Sequence, residues 1–408
     1  MAKKKTNQVP VAVIIAVIVT IVIVAIILAS LYFTVPVVRD KIDTILGFKK
    51  VENTNSNPQP SGGGGNNNPS LVTGDGDLAF HMLDIGQGDW LLIILPDGKE
   101  MVVDAGRKPG SSTVYNTGKA YMDQYITDGQ IDYVVLTHSD QDHVEYMDEI
   151  FRDYQVSNVY MPALYATHSS VAEANIPASK TKILDDSGVD KNKCYITTQT
   201  YAKFYIAAFN EPNCNIFLNI EFNEDSNDAT LDSHSLITSS DNTYSIAFFF
   251  ESLTFYNNKK FDGDSHQING ISPTMIIEYN GKRIVLTGDA NEENEPNMVD
   301  RMQKYYGGVI DCDVLKVAHH GSHEGSSNDY LAEVKCEYAM ISCGTGNTYN
   351  HPRQAALNRL KAKGITGLYR TDLHGNIVCI IDKDGAITIT PTNTNVSEEA
   401  IWKGADAA

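Results

Sequence analysis

Four potential metal ligands fall within six residues in His138-Ser139-Asp140-Gln141-Asp142-His143, an H-x-D-x-D-H pattern. Imidazole and carboxylate together suit zinc, manganese or iron(II). The ligands follow an apolar run, Tyr133-Val134-Val135-Leu136, that reads as a short buried strand. A regular strand alternates its side chains and cannot aim all four groups the same way, whereas a tight loop can. The competing reading is a polar strand-to-helix loop with Asp140 or Asp142 as N-cap. Two further strand ends carry the same residue types. Arg283-Ile284-Val285-Leu286 delivers Thr287-Gly288-Asp289, and Asp313–Ala318 ends at His319-His320-Gly321-Ser322. Ligands at the ends of neighbouring strands converge on one edge of a sheet, where loops leave a cleft. A carboxylate such as Asp289 can bridge two metals, and two metals ~3.5–4 Å apart activate one water and clamp a leaving oxygen. No cysteine lies in the cluster, so the expected site is open and hydrolytic, with zinc or manganese, rather than closed and structural.

The elements that must position these groups are legible as apolar runs between turn residues. Ala79–Ile85, Trp90–Leu95 and Met101–Val103 read as consecutive strands, with turns at Gly86-Gln87-Gly88 and Pro96-Asp97-Gly98. Helices are expected over Val114–Thr127 and Val144–Tyr154. Between 155 and 268, short strand-like runs (Asn158–Met161, Phe204–Ala208, Ile216–Phe222, Tyr244–Phe250) sit among polar loops, and we expect this stretch to be an elaborated insertion. Thr274–Tyr279, Asn280-Gly281 and Arg283–Leu286 form a hairpin by their turn chemistry. A helix near Pro296–Tyr305, a strand at Tyr338–Ser342, a helix over Pro352–Lys363, and strands at Asn376–Ile381 and Ala386–Thr390 complete the series.

Composition bounds the partners. The 408 residues carry a formal net charge of -19. The first 50 residues are basic, seven Lys and Arg against Asp40 and Asp43, so the remainder stands at -24. Such a surface offers no broad basic face to nucleic acid, although metals can supply positive charge locally to a phosphodiester. The six cysteines form no C-x-x-C motif, and their spacing leaves buried thiols and disulfides both open. Residues 1–8 are a short basic N-terminus. Residues 9–35 are almost wholly apolar and long enough to span a bilayer as a helix. Lys3, Lys4 and Lys5 favour a cytoplasmic N-terminus. Residues 36–77 read as a juxtamembrane segment and a Gly/Asn/Pro linker, 78–392 as the folded domain, and 393–408 as a loose tail.

With these residues in view, the chain resembles the metallo-β-lactamase-type domain of ComEC-family competence proteins. The resemblance lies in Asp84-Ile85-Gly86-Gln87-Gly88-Asp89, Val103-Asp104-Ala105-Gly106, the H-x-D-x-D-H loop, Leu286-Thr287-Gly288-Asp289, Lys316-Val317-Ala318-His319-His320-Gly321-Ser322, His351-Pro352 and Tyr369-Arg370-Thr371-Asp372 with Gly375. It covers about residues 78–390, in the family's order. It implies an α/β fold, the αββα sandwich, with two divalent ions at one edge. The implied ligands are His138, Asp140, Asp142, His143, Asp289 and His319. His320 is left as a further ligand or a group acting in catalysis beside Asp142. Asp104 would orient ligands from behind. Asn269-Gly270-Ile271-Ser272 fits the segment that precedes the hairpin in this family, and His266 or His234 could stand in for a third histidine. Asp84, Asn269, His351 and Arg370 are candidates for supporting ligands or meeting substrate; His351-Pro352 and Arg370-Thr371-Asp372 read equally as a helix start and a turn. The competence proteins have many membrane helices and this chain has one candidate.

These expectations amount to a single-pass membrane protein with an extracytoplasmic hydrolase domain. It would cleave phosphodiesters with a metal-bound hydroxide, with single-stranded DNA as the substrate suggested by the resemblance. Hydrolysis of an amide, lactam or thioester, and a non-catalytic accessory role in DNA uptake, are the alternatives. Oligomeric state is not legible.

Overall fold

A computed structural model of the chain describes residues 76–221, 230–231 and 234–407. The expected membrane helix at 9–35, and the segment and linker after it as far as residue 75, lie outside the described residues. Within the described residues no helix is long and apolar enough to cross a membrane.

Two sheets face each other, with helices on both outer faces. Strands β1 (Leu78–Met82), β2 (Trp90–Ile94), β3 (Glu100–Ala105), β4 (Gln130–Val135), β5 (Gln155–Met161) and β6 (Asn215–Leu218) build the first sheet. The second holds β7 (Leu236–Thr238), β8 (Tyr244–Phe249), β9 (Thr274–Tyr279), β10 (Lys282–Leu286), β11 (Val314–Lys316), β12 (Tyr338–Ile341) and β13 (Gly367–Arg370). The chain then returns to the first sheet with β14 (Ile377–Ile381) and β15 (Ile387–Pro391). The strand orders are β15-β14-β1-β2-β3-β4-β5-β6 and β13-β12-β11-β10-β9-β8-β7.

The alternation of side chains along each strand divides the apolar residues among three layers. Phe80, Met82, Leu91 and Ile93 of the first sheet meet Ile246, Phe248, Met275 and Ile277 of the second, which closes the central layer. The alternate residues Trp90, Leu92 and Val102 pack outward on the helices Ser112–Met122 and Met147–Asp153. Phe249, Ile276 and Val285 pack outward on Glu295–Tyr306 and Gln354–Ala362. A strand buried on both faces has no polar alternation to show, which is why these runs are apolar throughout. The result is the αββα sandwich.

Three expectations need correction. Phe204–Ala208 is not a strand: it lies inside the helix Gln199–Asn210, which buries Tyr201, Phe204, Tyr205, Ala208 and Phe209. That spacing of three and four is the helical period, and the aromatic and β-like composition masks it. Residues 155–268 are not an insertion standing apart from the scaffold. They supply β5 and β6 to one sheet and β7 and β8 to the other, paired with β4 and β9 respectively. The tail is not loose as far as residue 407. Ala405 donates to the Pro352 carbonyl at 2.9 Å, and Asp406 Oδ1 accepts from Gln354 N–H at 2.7 Å.

The site follows from the parallel ladders. β3 and β4 run parallel, as do β10, β11 and β12. Their carboxyl ends therefore lie at one edge of each sheet, and the connecting loops meet across the sandwich there.

Candidate metal centre

Three imidazoles point one nitrogen inward and tie the other back to the protein. His138 follows β4, and its Nδ1 lies 3.0 Å from Thr137 Oγ1 and 3.3 Å from Ser272 Oγ. His143 lies in the short helix Gln141–Val144, and its Nδ1 meets Asp104 Oδ2 at 2.7 Å. His320 follows β11, and its Nδ1 meets the Ser342 carbonyl at 2.9 Å. A carbonyl or carboxylate accepts only from a protonated Nδ1, which leaves Nε2 with its lone pair. Those Nε2 atoms converge: His143 and His320 are 3.2 Å apart, and His138 and His143 have ring centroids 4.1 Å apart.

Asp104 organises two of the three. Its Oδ1 accepts from Thr137 N–H at 2.8 Å, and its Oδ2 accepts from Thr137 Oγ1 at 2.7 Å as well as from His143. It is the penultimate residue of β3, in a left-handed conformation, φ 54°, and is fully buried. The loops touch so closely that only glycine fits between them. A Cβ on Gly88, at φ 142°, would lie 2.3 Å from the Gly106 carbonyl oxygen, and one on Gly106 would lie 2.3 Å from His143 N.

Two carboxylates face the imidazoles. Asp289 Oδ1 is 3.2 Å from His143 Nε2, and its Oδ2 is 3.5 Å from His320 Nε2 and 3.9 Å from His138 Nε2. Asp142 Oδ2 is 3.6 Å from His320 Nε2. His138, His143 and Asp289 form one group whose ligand atoms lie within 4.8 Å of one another, and Asp142, His143 and His320 form another. His138 Nε2 and Asp289 Oδ1 are buried without a hydrogen-bond partner. Buried polar atoms left unpaired at a convergence of lone pairs and carboxylates are what a divalent cation satisfies. The donor set is nitrogen and oxygen without thiolate, which fits zinc or manganese.

The crowding of imidazoles and carboxylates by itself sets the charges of the cluster. Burial lowers the pKa of His138 well below the usual range, and its neighbour His143 works in the same sense. Burial alone would do likewise to His143, but Asp289 and Asp104 lift it well above the usual range. Burial would favour protonated Asp289, yet His320, His143 and His319 keep its carboxyl well below the usual range.

The remaining candidates divide. Asp140 sits at the N-cap of Gln141–Val144 without capping it. It joins none of the ligand groups among the described residues. Burial and Asp142 push its carboxyl up to about 7. His319 and His320 are both left-handed, φ 50° and 53°, a conformation that costs about 1–2 kcal/mol per residue. The turn sends the two side chains different ways. His320 is 1% exposed and joins the ligand groups, whereas His319 is 19% exposed and outside them, 3.6 Å from Asp289. Asn269 Nδ2 lies 3.4 Å from the His319 ring, and Ser272 Oγ accepts from Asp289 N–H at 3.1 Å. His351 meets His319 edge-on beside this turn, 5.3 Å between ring centroids; burial and the neighbouring imidazoles His320 and His319 push it down to about 3. His266 pairs with Glu293 at 3.6 Å and His234 meets the Leu218 carbonyl, so neither supplies a third histidine. Asp84 is exposed and its Oδ1 accepts from Gly86 N–H within its own turn.

Arg370 does not face the centre. Its guanidinium donates to both Asp372 oxygens, at 3.0 and 2.7 Å, and to the carbonyls of Ala400, Ile401 and Lys403. That commits four of its five N–H donors within the fold and docks the C-terminal segment.

Sequence reasoning misses Asp89 and Lys316. It gives neither residue a role beyond its motif. Both are fully buried, with Nζ 2.7 Å from Asp89 Oδ2. The available signal is a lysine inside the apolar run Val314-Leu315-Lys316-Val317, since a buried ammonium requires a partner. At the outer rim, Lys108 Nζ lies 5.7 Å from the centroid of the Tyr349 ring, and Tyr349 stacks on His351 at 5.7 Å. Lys108 N–H donates to the Gln87 carbonyl at 3.1 Å, which fixes this cation beside the loops of the centre.

Comparison with known proteins places residues 83–192 in a match to the metallo-beta-lactamase superfamily. The mixed α/β arrangement is the metallo-β-lactamase fold, and that fold implies divalent metal binding. The chain is similar to competence protein ComA of Neisseria gonorrhoeae, 40% identical over 107 residues, which is 26% of this chain and 15% of that protein. It is similar to ComE operon protein 3 of Bacillus subtilis (strain 168), 24% identical over 308 residues, 72% of this chain and 32% of that one. The chain thus spans less than a third of the length of either relative. Among solved structures it is similar to the metallo-beta-lactamase fold protein YhfI from Bacillus subtilis, with 11% identity, a TM-score of 0.38, and coverage of 77% of this chain and 100% of that one.

Proposed function

We propose that this chain is a membrane-anchored, metal-dependent hydrolase of phosphodiester bonds that works outside the cytoplasm. His138, Asp142, His143, Asp289 and His320 would hold two divalent ions, zinc or manganese. The observation that carries the reading is the convergence of three Nε2 atoms, each with its Nδ1 tied back, on two carboxylates at one sheet edge. Divalent ions at such a site acidify a water and neutralise charge developing on phosphoryl oxygens.

The chain's own groups divide the remaining work. Asp289, 4% exposed in its side chain, is enclosed between the imidazoles. Asp142, at 13%, is the carboxylate open to the cleft, and it orients the attacking water and takes its proton. Asp104 keeps His143 in the ligating tautomer. Lys108 attracts a phosphate to the rim, beside the Tyr349 ring. A local grip of this kind is what an acidic surface requires. Single-stranded DNA is the substrate that the likeness to competence proteins suggests, and the apolar stretch at 9–35 supplies the anchor.

The test uses the full-length chain purified in detergent. Bound metal is measured, and hydrolysis of bis-p-nitrophenyl phosphate and single-stranded DNA is assayed with Mn²⁺ or Zn²⁺, beside Asp142→Ala and His143→Ala. Bound metal with cleavage lost in both variants supports the reading. Bound metal without cleavage of either compound moves it to an amide or thioester bond or to a binding role. A protein that binds no metal overturns it.

A further inference from the structure

Asp89 and Lys316 lie behind the centre and take no part in the chemistry above. The Lys316 ammonium forms an ion pair with Asp89 Oδ2 at 2.7 Å and donates to the Gly288 carbonyl at 3.1 Å and the Val317 carbonyl at 3.3 Å. Gly288 immediately precedes Asp289, and Val317 opens the turn that carries His319 and His320. One ammonium therefore ties two ligand-bearing loops to Asp89. Asp89 in turn reaches the imidazoles, with Oδ1 3.4 Å from His320 Nδ1 and Oδ2 3.8 Å from His143 Nδ1. Its own N–H donates to the Asp142 carbonyl at 3.0 Å.

By position alone Asp89 has the makings of a metal ligand. Asp89, Asp289 and His320 present atoms within 4.8 Å of one another. Asp89 differs from Asp289 in one respect: a fixed, fully buried ammonium answers its charge. A buried ion pair is weak evidence for stability, because an apolar pair of the same volume often does as well. Its position among ligands has a different consequence. Intact, the pair adds no net charge to the centre; split, it adds a positive or a negative one.

We propose that Asp89 and Lys316 are a charge-balancing pair for the metal centre, in which the ammonium withholds Asp89 from the cations. The proposal rests on the metal-binding part of the function proposed above. It makes the two single variants act in opposite directions. Asp89→Asn leaves an uncompensated ammonium beside the cations, and metal affinity falls about 10- to 100-fold, the range seen when groups supporting ligands are lost. Lys316→Met leaves an uncompensated carboxylate, and metal affinity holds or rises. The double variant D89N/K316M is neutral again, and its affinity returns to within about threefold of the wild type, because two residues in contact couple rather than add.

Metal affinity is measured on the full-length chain by competition with a chromophoric chelator, and ligand geometry by the visible absorption of bound Co²⁺. A pair that served packing alone would lower affinity in both singles and further in the double. If Lys316→Met does not fold, the double variant decides by itself. A double variant that binds metal as weakly as Asp89→Asn, or that does not fold, overturns the proposal. A wild-type protein without metal overturns the proposed function instead, so the two failures are distinguishable.

Discussion

Replacing Asp104 by asparagine should cripple metal binding and leave the protein folded. Asp104 sits at φ 54°, where asparagine is tolerated as well as aspartate, so the backbone has no reason to move. Its Oδ1 accepts from Thr137 N–H, and its Oδ2 accepts from Thr137 Oγ1 and His143 Nδ1. The amide keeps its oxygen on Thr137 N–H and presents NH₂ where Oδ2 stood. His143 can meet that NH₂ only through an unprotonated Nδ1, so its proton moves to Nε2. That nitrogen faces His320 at 3.2 Å and Asp289 at 3.2 Å. Protonated, it has no lone pair for a cation. The stability cost follows from the bonds. A charge-assisted hydrogen bond exceeds a neutral one by about 1 kcal/mol, so three bonds lose about 3 kcal/mol. Domains have about 5–15 kcal/mol in hand, and Asp104→Asn stays folded. Metal affinity should fall about 10- to 100-fold. Competition with a chromophoric chelator measures the affinity, and circular dichroism melting checks the fold. A folded Asp104→Asn protein with wild-type affinity would refute the tautomer argument, and with it the role of Asp104 as organiser of the centre.

Three further outcomes are expected. His320→Ala should abolish hydrolysis and reduce the metal content, while His319→Ala should retain at least one metal and part of the activity; equal losses would contradict the division made by the turn. The metal-free protein should lose stability as pH rises from about 4 to 7, because burial and Asp142 raise the Asp140 pKa from its ordinary value to about 7, and a carboxyl raised in the folded state stabilises only while protonated. The contribution is at most about 4 kcal/mol over that window, and Asp140→Asn should make the slope in melting curves shallower by that share, beside Glu251, whose carboxyl is also raised to about 7; an unchanged slope sinks the argument. Arg370→Ala should leave KM unchanged but cost about 3 kcal/mol by stranding Asp372 and expose the segment after residue 392 to proteolysis; a raised KM at unchanged stability would return Arg370 to the substrate.

Local sequence carried the positions of the ligands because each follows an apolar strand that ends in a turn. Tyr133–Leu136 before His138, Arg283–Leu286 before Asp289 and Val314–Ala318 before His319-His320 all show this, and hydrophobic runs between turn residues are what a single sequence displays best. Periodicity failed where composition and period disagreed. At Phe204–Ala208 the aromatic residues suggest a strand, and the helical spacing of Tyr201, Phe204, Tyr205 and Ala208 is the better signal. It also failed for 155–268, whose short strands gain meaning only when paired with β4 and β9.

The sequence by itself determined which residue types would gather at one sheet edge, and hence that nitrogen and oxygen ligands, not thiolates, would define the chemistry. Tertiary structure alone decided which atoms face inward. Two consecutive left-handed residues turn His320 into the centre and His319 toward its rim, and neighbours in sequence give no clue to that choice. Asp89 and Lys316 lie 227 positions apart and meet only because β2 and β11 belong to facing sheets whose loops share an edge. Arg370, which has the chemistry to grip a phosphate, spends it on Asp372 and three carbonyls of the C-terminal segment. A side chain's type sets what it can bind; the groups that reach it first, fixed by packing over long sequence separations, set what it does bind.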